Sequence, residues 1–386
     1  MFGSARLVVV AGRTLWFLVH GDRGTRLPNW RRLEPIFREA LDMKGLTRIF
    51  VKGFSTLALF AFVTAGTVLA GHSVASAEPV VIKMATSAPN GSLWFKELSK
   101  IGTVVEKLTE GRVKIKIFGG SVLGDDKQVI DKMKFGQVQA AAFTGVGIGA
   151  IAPRTRLMEL PFVFENSRHI DCVLGKMLPG FEADFEKAGY INLGWAEQGL
   201  IYVFSAKQIQ STADMGKTKP WVWGADELAR AIFEVFGLKP VPLALQDVYM
   251  SLQSGIIDTV YISPAALTGL GWHSKAPNMV DVPVVNGAGA VLLKKEVWDK
   301  ISPADQEVLM KTSRSVLSSL TLRARDENMK AIDVLKVKGG VKVFSISPSE
   351  RAGFSKKGAE AADRLVGKIF SRKDLEDFRS VVKTCK

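Results

Sequence analysis

VVIKMATSAPNGSLWFKELSKIGTVVEKLTEGRVKIKIFGG, residues 80–120, is the stretch that decides the fold. Val80 to Ala85 is a short apolar run with β-branched residues, followed by the turn-rich Thr86-Ser-Ala-Pro-Asn-Gly-Ser92. From Leu93 to Thr109 the apolar positions Leu98, Ile101, Val104, Val105 and Leu108 recur at three- and four-residue steps, which is one face of a helix. Gly111 stops that helix, Val113 to Phe118 alternates with period two, and Gly119-Gly120 turns the chain. Strand, loop, helix, strand is the repeating unit of an α/β sheet.

The alternation continues outward. Asp125 to Phe135 resumes helical spacing, Gly136 caps it, and Val138 to Phe143 reads as a buried strand ending in Thr144-Gly145. A second series begins near Tyr190, with strands at Ile191–Trp195, Ile201–Phe204, Trp221–Trp223, Val241–Leu243 and Thr259–Ile262 and helices at Glu227–Phe236 and Gln246–Gly255. Pro303 to about Lys338 is helical with almost no breaker, long enough to span two lobes. Strands alternating with helices at this spacing predict a mainly parallel sheet with helices on both faces, built twice. In open α/β sheets ligands bind where loops converge beyond the carboxyl ends of strands. That rule selects Thr86–Trp94, Phe143–Gly145, Trp195–Gln198, Trp221–Asp226 and Tyr261–Pro264.

A chain of 386 residues exceeds what one core usually serves, and 47% hydrophobic with 23% charged residues is the composition of a folded protein. The net charge of +14 is uneven: residues 1–77 hold ten Lys/Arg against four Asp/Glu, leaving 42 against 34 in the rest. In that remainder the charges are interspersed and no basic-aromatic module appears, so nucleic acid is not an expected partner.

The basic excess belongs to a targeting signal. Met43-Lys-Gly-Leu-Thr-Arg precedes an uncharged apolar run from Phe54 to Ala70, and Ala75-Ser-Ala77 offers small residues to a signal peptidase. Residues 43–77 therefore read as a signal peptide cleaved after Ala77, with an uncleaved anchor as the alternative. Residues 1–42 read as an upstream extension if translation starts at Met43, or else as a long positive region. The expected location is the periplasm. Its oxidising conditions permit Cys172 and Cys385 to pair, the alternative being one buried Cys and one free thiol.

Catalytic constellations are missing. His169 and His273 lack metal-ligand partners at helical spacing, and there is no G-x-S-x-G, H-E-x-x-H or Walker pattern, so neither metal nor cofactor is expected and the chain does not read as an enzyme. Gly145-Val-Gly147-Ile-Gly149 lacks dinucleotide spacing and reads as a close-approach loop between lobes. Asp125-Asp126, at a helix start, reads as a cap rather than as a catalytic pair.

Several blocks in order carry a family resemblance: Gly111-Arg-Val113 leading to Gly119-Gly-Ser-Val-Leu-Gly124, Leu160-Pro-Phe-Val-Phe164, Pro240-Val-Pro-Leu243, Val248-Tyr-Met-Ser-Leu-Gln-Ser-Gly255 with Asp258, and Lys294-Lys-Glu-Val-Trp298. From Pro79 to about Phe370 the chain resembles the DctP-type solute receptors of tripartite ATP-independent periplasmic (TRAP) transporters. The resemblance implies a two-lobed periplasmic binding protein fold, joined by crossing strands and a long helix, that closes on a small organic ligand and hands it to membrane permease subunits driven by an ion gradient. The lobes divide as 78–197 with about 288–325, and 198–287 with about 326–386. Rival readings are a receptor for another importer or sensor, and a periplasmic enzyme on the same scaffold.

Two departures from the family pattern matter most. Members that bind carboxylates carry an Arg in an I-R-V-P-like strand block and another in a D/E-N-G-F-R block; here Trp221 and Ile201 take those places. Neither can supply the bidentate, charged fork of a guanidinium. The expected ligand-binding residues are Trp94, Phe143, Thr144, Trp195, Gln198, Trp221, Trp223, Tyr261 and Ser263, with Glu197 and Trp272 also near the predicted loops. Such a set suits an apolar, aromatic or cationic ligand, or an uncharged polyol stacked on rings, although a Trp in a buried strand is often simply core. Lys219 and Arg230 are the candidates for a displaced carboxylate partner. On this reading Trp221→Ala weakens binding without unfolding the protein.

Overall fold

Two long strands organise the molecule. In a computed structural model, residues 6–10, 13–17 and 78–385 except 225 are described. The signal-peptide segment 43–77 with its cleavage site, and most of the extension 1–42, lie outside the described residues. Within that extension β1 (Arg6–Val10) pairs antiparallel with β2 (Arg13–Phe17).

The main body holds β3 (Val80–Thr86), β4 (Val113–Phe118), β5 (Ala140–Thr144), β6 (Tyr190–Ser205), β7 (Trp221–Val222), β8 (Val241–Pro242), β9 (Thr259–Ile262), β10 (Asn278–Lys294) and β11 (Lys342–Phe344). The large sheet runs β4-β3-β5-β10-β6-β9, with β11 beside β10. The βαβ-connected strands β3, β4 and β5 pair in parallel, because a crossover helix returns the chain to the same end of the sheet. β10 runs antiparallel to β5 and to β6, and β6 antiparallel to β9. β7 and β8 form a separate parallel pair, bridged to Thr259 through Pro220. The result is a mixed α/β fold of two lobes with flanking helices, and the two long strands pass through both lobes.

The two strands expected at Ile191–Trp195 and Ile201–Phe204 are one, β6. Gly199, at φ 89°, sits opposite Gly287, and register shifts flank the pair, so the chain bends there without leaving the ladder. A side chain at Gly199 would meet Asn328 Nδ2 at 2.5 Å. Asn328, on the long helix Pro303–Val337, donates from Nδ2 to Gln198 O at 2.7 Å and accepts from Ala265 N at 3.0 Å, tying the bend to the long helix and to the segment after β9.

The helix Leu93–Leu108 starts at Ser92, whose hydroxyl accepts from Phe95 N. It buries Leu98, Ile101 and Val105 against Leu309, Leu317 and Leu320 of the long helix. Each such side chain contributes about 1.5–3 kcal/mol of transfer free energy. Residues 145–151, expected as a loop, are a helix capped by Thr144. Its glycines do serve close approach, but within one region: a Cβ at Gly145 would lie 1.9 Å from Glu159 Oε2, and one at Gly149 2.3 Å from Arg156 Cδ.

Cys172 and Cys385 form a disulfide, with Cα atoms 5.7 Å apart, so the alternative of a free thiol is set aside. The bond fixes the C-terminal helix Arg372–Thr384 to the helix Ser167–Lys187. Phe378 of the former packs edge-on against Phe164. The helix Arg372–Thr384 packs against 164–185, where Leu375 and Phe378 are buried and Val382 is partly buried.

Candidate functional site

A cavity of about 520 Å³ opens where the predicted loops converge. That volume suits a small organic molecule. Trp94, Phe143, Thr144, Gln198, Trp221, Trp223, Tyr261 and Ser263 all line it, as does Ile201. Trp195 does not: it stacks on Phe181 at 5.9 Å, toward the helix Ser167–Lys187, because strand alternation turns it to the opposite face. Trp272 is buried edge-on against Trp221 at 5.5 Å, behind the cavity wall. Glu197 is likewise structural, paired with Arg325, which also grips Asp171.

Trp221 is 1% exposed. Its Nε1–H donates to Leu243 O at 3.0 Å, and its ring lies 5.3 Å from Trp223 and 5.5 Å from Tyr261. It is at once core and wall: the short strand β7 places it between the second lobe's interior and the cleft. The indole N–H is already committed, so what Trp221 offers a ligand is ring surface.

Lys219 and Arg230, the candidates for a carboxylate partner, face away from the cavity. Lys219 Nζ turns to Gly255 O and Arg230 Nη2 to Gly224 O, and neither residue lines the cavity. The lining arginine is Arg156, from the 3₁₀ turn Pro153–Glu159, and it is spoken for. Its Nη2 donates to Asp226 Oδ1 at 2.6 Å, and its Nη1 lies 2.7 Å from Glu159 Oε2 in an ion pair without hydrogen-bond alignment. Tyr261 donates to the other Asp226 oxygen at 3.3 Å, and Ala288 N donates to Glu159 Oε1 at 3.3 Å. All three charged residues are over 90% buried. Burial pushes the Glu159 carboxyl up to about 7 against the pull of Arg156. Burial, and next the charge of Asp226, pushes the Tyr261 phenol well above its ordinary range.

Asp125 and Asp126 divide their roles. Asp125 caps its helix in a reciprocal box with Gln128. Asp126 reaches across to accept from Thr144 Oγ1 at 2.5 Å, Thr144 N at 3.2 Å and Gly147 N at 3.0 Å, holding the loop that carries Phe143 and Thr144. Burial pushes its carboxyl up to about 6 in spite of those bonds.

Sequence reasoning missed Arg156, Glu159 and Asn328, and reached Asp226 only as the end of a predicted loop. One signal was available: Arg156-Leu-Met-Glu159 sets opposite charges three residues apart around two apolar residues, directly before Leu160-Pro-Phe-Val-Phe164. Such a pair in a buried-type run has to be ion-paired. Nothing local marked Asn328, which looks like any polar residue on a long helix.

Comparison with known proteins places this geometry. The profile of DctP, bacterial extracellular solute-binding protein family 7, matches residues 84–371. The C4-dicarboxylate-binding periplasmic protein DctP of Rhodobacter capsulatus is 25% identical over 312 residues, covering 76% of this chain and 89% of that one. The sialic acid-binding periplasmic protein SiaP of Vibrio cholerae is 21% identical over 267 residues, covering 67% and 81%. Among solved structures, a TRAP periplasmic solute-binding protein of Desulfovibrio salexigens with bound orotic acid superposes with a TM-score of 0.73 at 18% identity, over 80% of this chain and 100% of that one. The sugar acid binding protein DctPAm of Advenella mimigardefordensis, in complex with galactonate, gives 0.73 at 23% identity over 80% and 99%.

Proposed function

This chain belongs to family 7 of the bacterial extracellular solute-binding proteins, and on that premise we propose that it captures a small organic solute without an arginine–carboxylate clamp. As a TRAP-type receptor it binds a small organic molecule. It acts in the periplasm after removal of residues up to Ala77, and passes the solute to the small and large permease subunits of an ion-driven transporter. The cleft lies between a lobe of 78–197 with about 288–325 and a lobe of 198–287 with about 326–386, and Trp94, Phe143, Thr144, Gln198, Trp221, Trp223, Tyr261 and Ser263 contact the ligand.

One observation carries the ligand reading: the arginine lining the cavity is already neutralised by Glu159 and Asp226. A carboxylate entering there would have to displace a buried carboxylate or sit beside two. Aromatic and aliphatic walls favour a ligand recognised by its rings or hydrocarbon skeleton.

The test is a thermal-shift screen of the secreted protein against a metabolite library, paired with native mass spectrometry of whatever co-purifies. A ligand at one hundred times its Kd adds about 2.7 kcal/mol of stability. Stabilisation by simple dicarboxylates alone would refute the ligand reading and leave the receptor intact. Chemical turnover of the bound molecule, rather than its recovery unchanged, would favour the enzyme reading.

A further inference from the structure

The cavity does not end at the cleft. In the second lobe it continues into an apolar cluster that includes Val203, Ile209, Phe233, Val280, Val282 and Phe354. Every buried member of that cluster except Leu238 lines the cavity. The neighbouring second-lobe cluster, around Phe204, Val248, Val260 and Leu267, is different in kind: of its buried members only Trp221 and Ile262 reach the cavity, and the rest pack on one another. Protein interiors are ordinarily close-packed. A cluster arranged around open space forfeits dispersion contacts on one side of each member, and a guest of matching apolar surface restores them.

The first lobe supplies part of the wall. Phe162, in the Leu160–Phe164 block, has φ 59°, a left-handed conformation that a bulky residue rarely adopts. Its N–H donates to Val284 O at 2.7 Å, and its ring stands edge-on to Phe354 at 5.6 Å. Backbone strain is thus held in place to set an aromatic ring at the seam between chamber and cleft.

Resting on the receptor reading above, we propose that the solute is amphipathic, with a hydrocarbon or fused-ring body seated in this second-lobe chamber and an uncharged, hydrogen-bonding end at Thr144, Tyr261 and the Arg156–Glu159–Asp226 group. The chamber measures the body; the ion-paired group reads the end.

The experiment titrates the secreted protein with the 1-alkanols from butanol to decanol and with the matching alkanoates, by calorimetry. Affinity for the alkanols should rise roughly fourfold per added methylene until the chamber is full, then level off. The alkanoates should bind more weakly at each length. Ile346→Trp, which fills the chamber from its lining, should bring the plateau several carbons earlier. If that variant does not fold, Phe354→Ala, which enlarges the chamber, should move the plateau to longer chains. Affinity independent of chain length overturns the chamber, and equal or tighter binding of alkanoates overturns the uncharged end. A small polar acid that binds the parent and Ile346→Trp alike would leave the receptor standing and remove the chamber. If neither these probes nor any library compound binds, the receptor reading fails first.

Discussion

Replacing Arg156 by Met removes one charge and strands two. Arg156 is 6% exposed, Asp226 5% and Glu159 8%, so water cannot take over the solvation that the guanidinium supplies. Met fills most of the side-chain volume, which limits the cavity contribution. Breaking a buried pair by removing one partner costs about 3–5 kcal/mol. The cost depends on pH, with a definite sign. The Glu159 carboxyl stands at about 7 with Arg156 present, and Arg156 holds it down, so the variant's carboxyl lies higher still. A carboxyl raised in the folded state binds more protons there than in the unfolded chain, and stability falls as pH rises through that window. The deficit of the variant against the parent should therefore be larger at pH 8 than at pH 5. Asp226 also caps the helix Glu227–Glu234 by accepting from Ala229 N at 3.1 Å, a role Asn performs as well. The triple variant Arg156→Met, Glu159→Gln, Asp226→Asn should then regain most of the loss. Urea denaturation followed by tryptophan fluorescence at the two pH values measures all three chains. A deficit below about 1 kcal/mol at pH 8, a deficit equal at both pH values, or a triple variant no better than the single one would refute the reasoning.

Trp221→Ala should destabilise by about 3–5 kcal/mol, since it empties a fully buried site, and so it cannot isolate ligand contact as the sequence alone led us to expect. Trp221→Phe keeps the aromatic cluster, loses the bond to Leu243 at about 1 kcal/mol, and is the variant in which ligand affinity should be measured; unchanged stability in Trp221→Ala would contradict its burial. In the parent, Glu159 at about 7 and Asp126 at about 6 both sit above their ordinary values, so denaturation free energy should decline between about pH 4 and 7, by up to roughly 3 kcal/mol for each group; a rising profile across that window would count against their burial as carboxylates. Cys172→Ser with Cys385→Ser opens a loop of 213 residues and should cost as much as about 5 kcal/mol, read as a lower melting temperature that reductant reproduces in the parent and does not alter in the variant.

Much of the fold was legible because it rests on local signals. The periodicity of 93–108, the alternation of 113–118 and the glycine turns name their elements without help from the rest of the chain. β6 was legible in pieces, since Gly199 looks like a break in one dimension and is a bend between paired strands in three. Eight of the nine expected residues line the cavity, on loops that the strand-end rule selects, while most of the lining lies elsewhere. What escaped was the part made by long-range partnership: Arg156 meets Asp226 across seventy residues of chain, and Asn328 meets Gln198 across one hundred and thirty. Trp195 failed for a related reason, because the face a strand residue takes depends on register shifts fixed by the partner strand.

The disulfide has a mechanical consequence. The helix Pro348–Arg364 sets Phe354 against both Phe236 and Phe162, while the helix that follows it is bonded through Cys385 to Cys172. The segment after the helix Pro348–Arg364 is therefore held covalently as well as by packing. Reducing the bond would leave the helix Arg372–Thr384 held to the helix Ser167–Lys187 by side-chain packing alone, chiefly through Leu375 and Phe378.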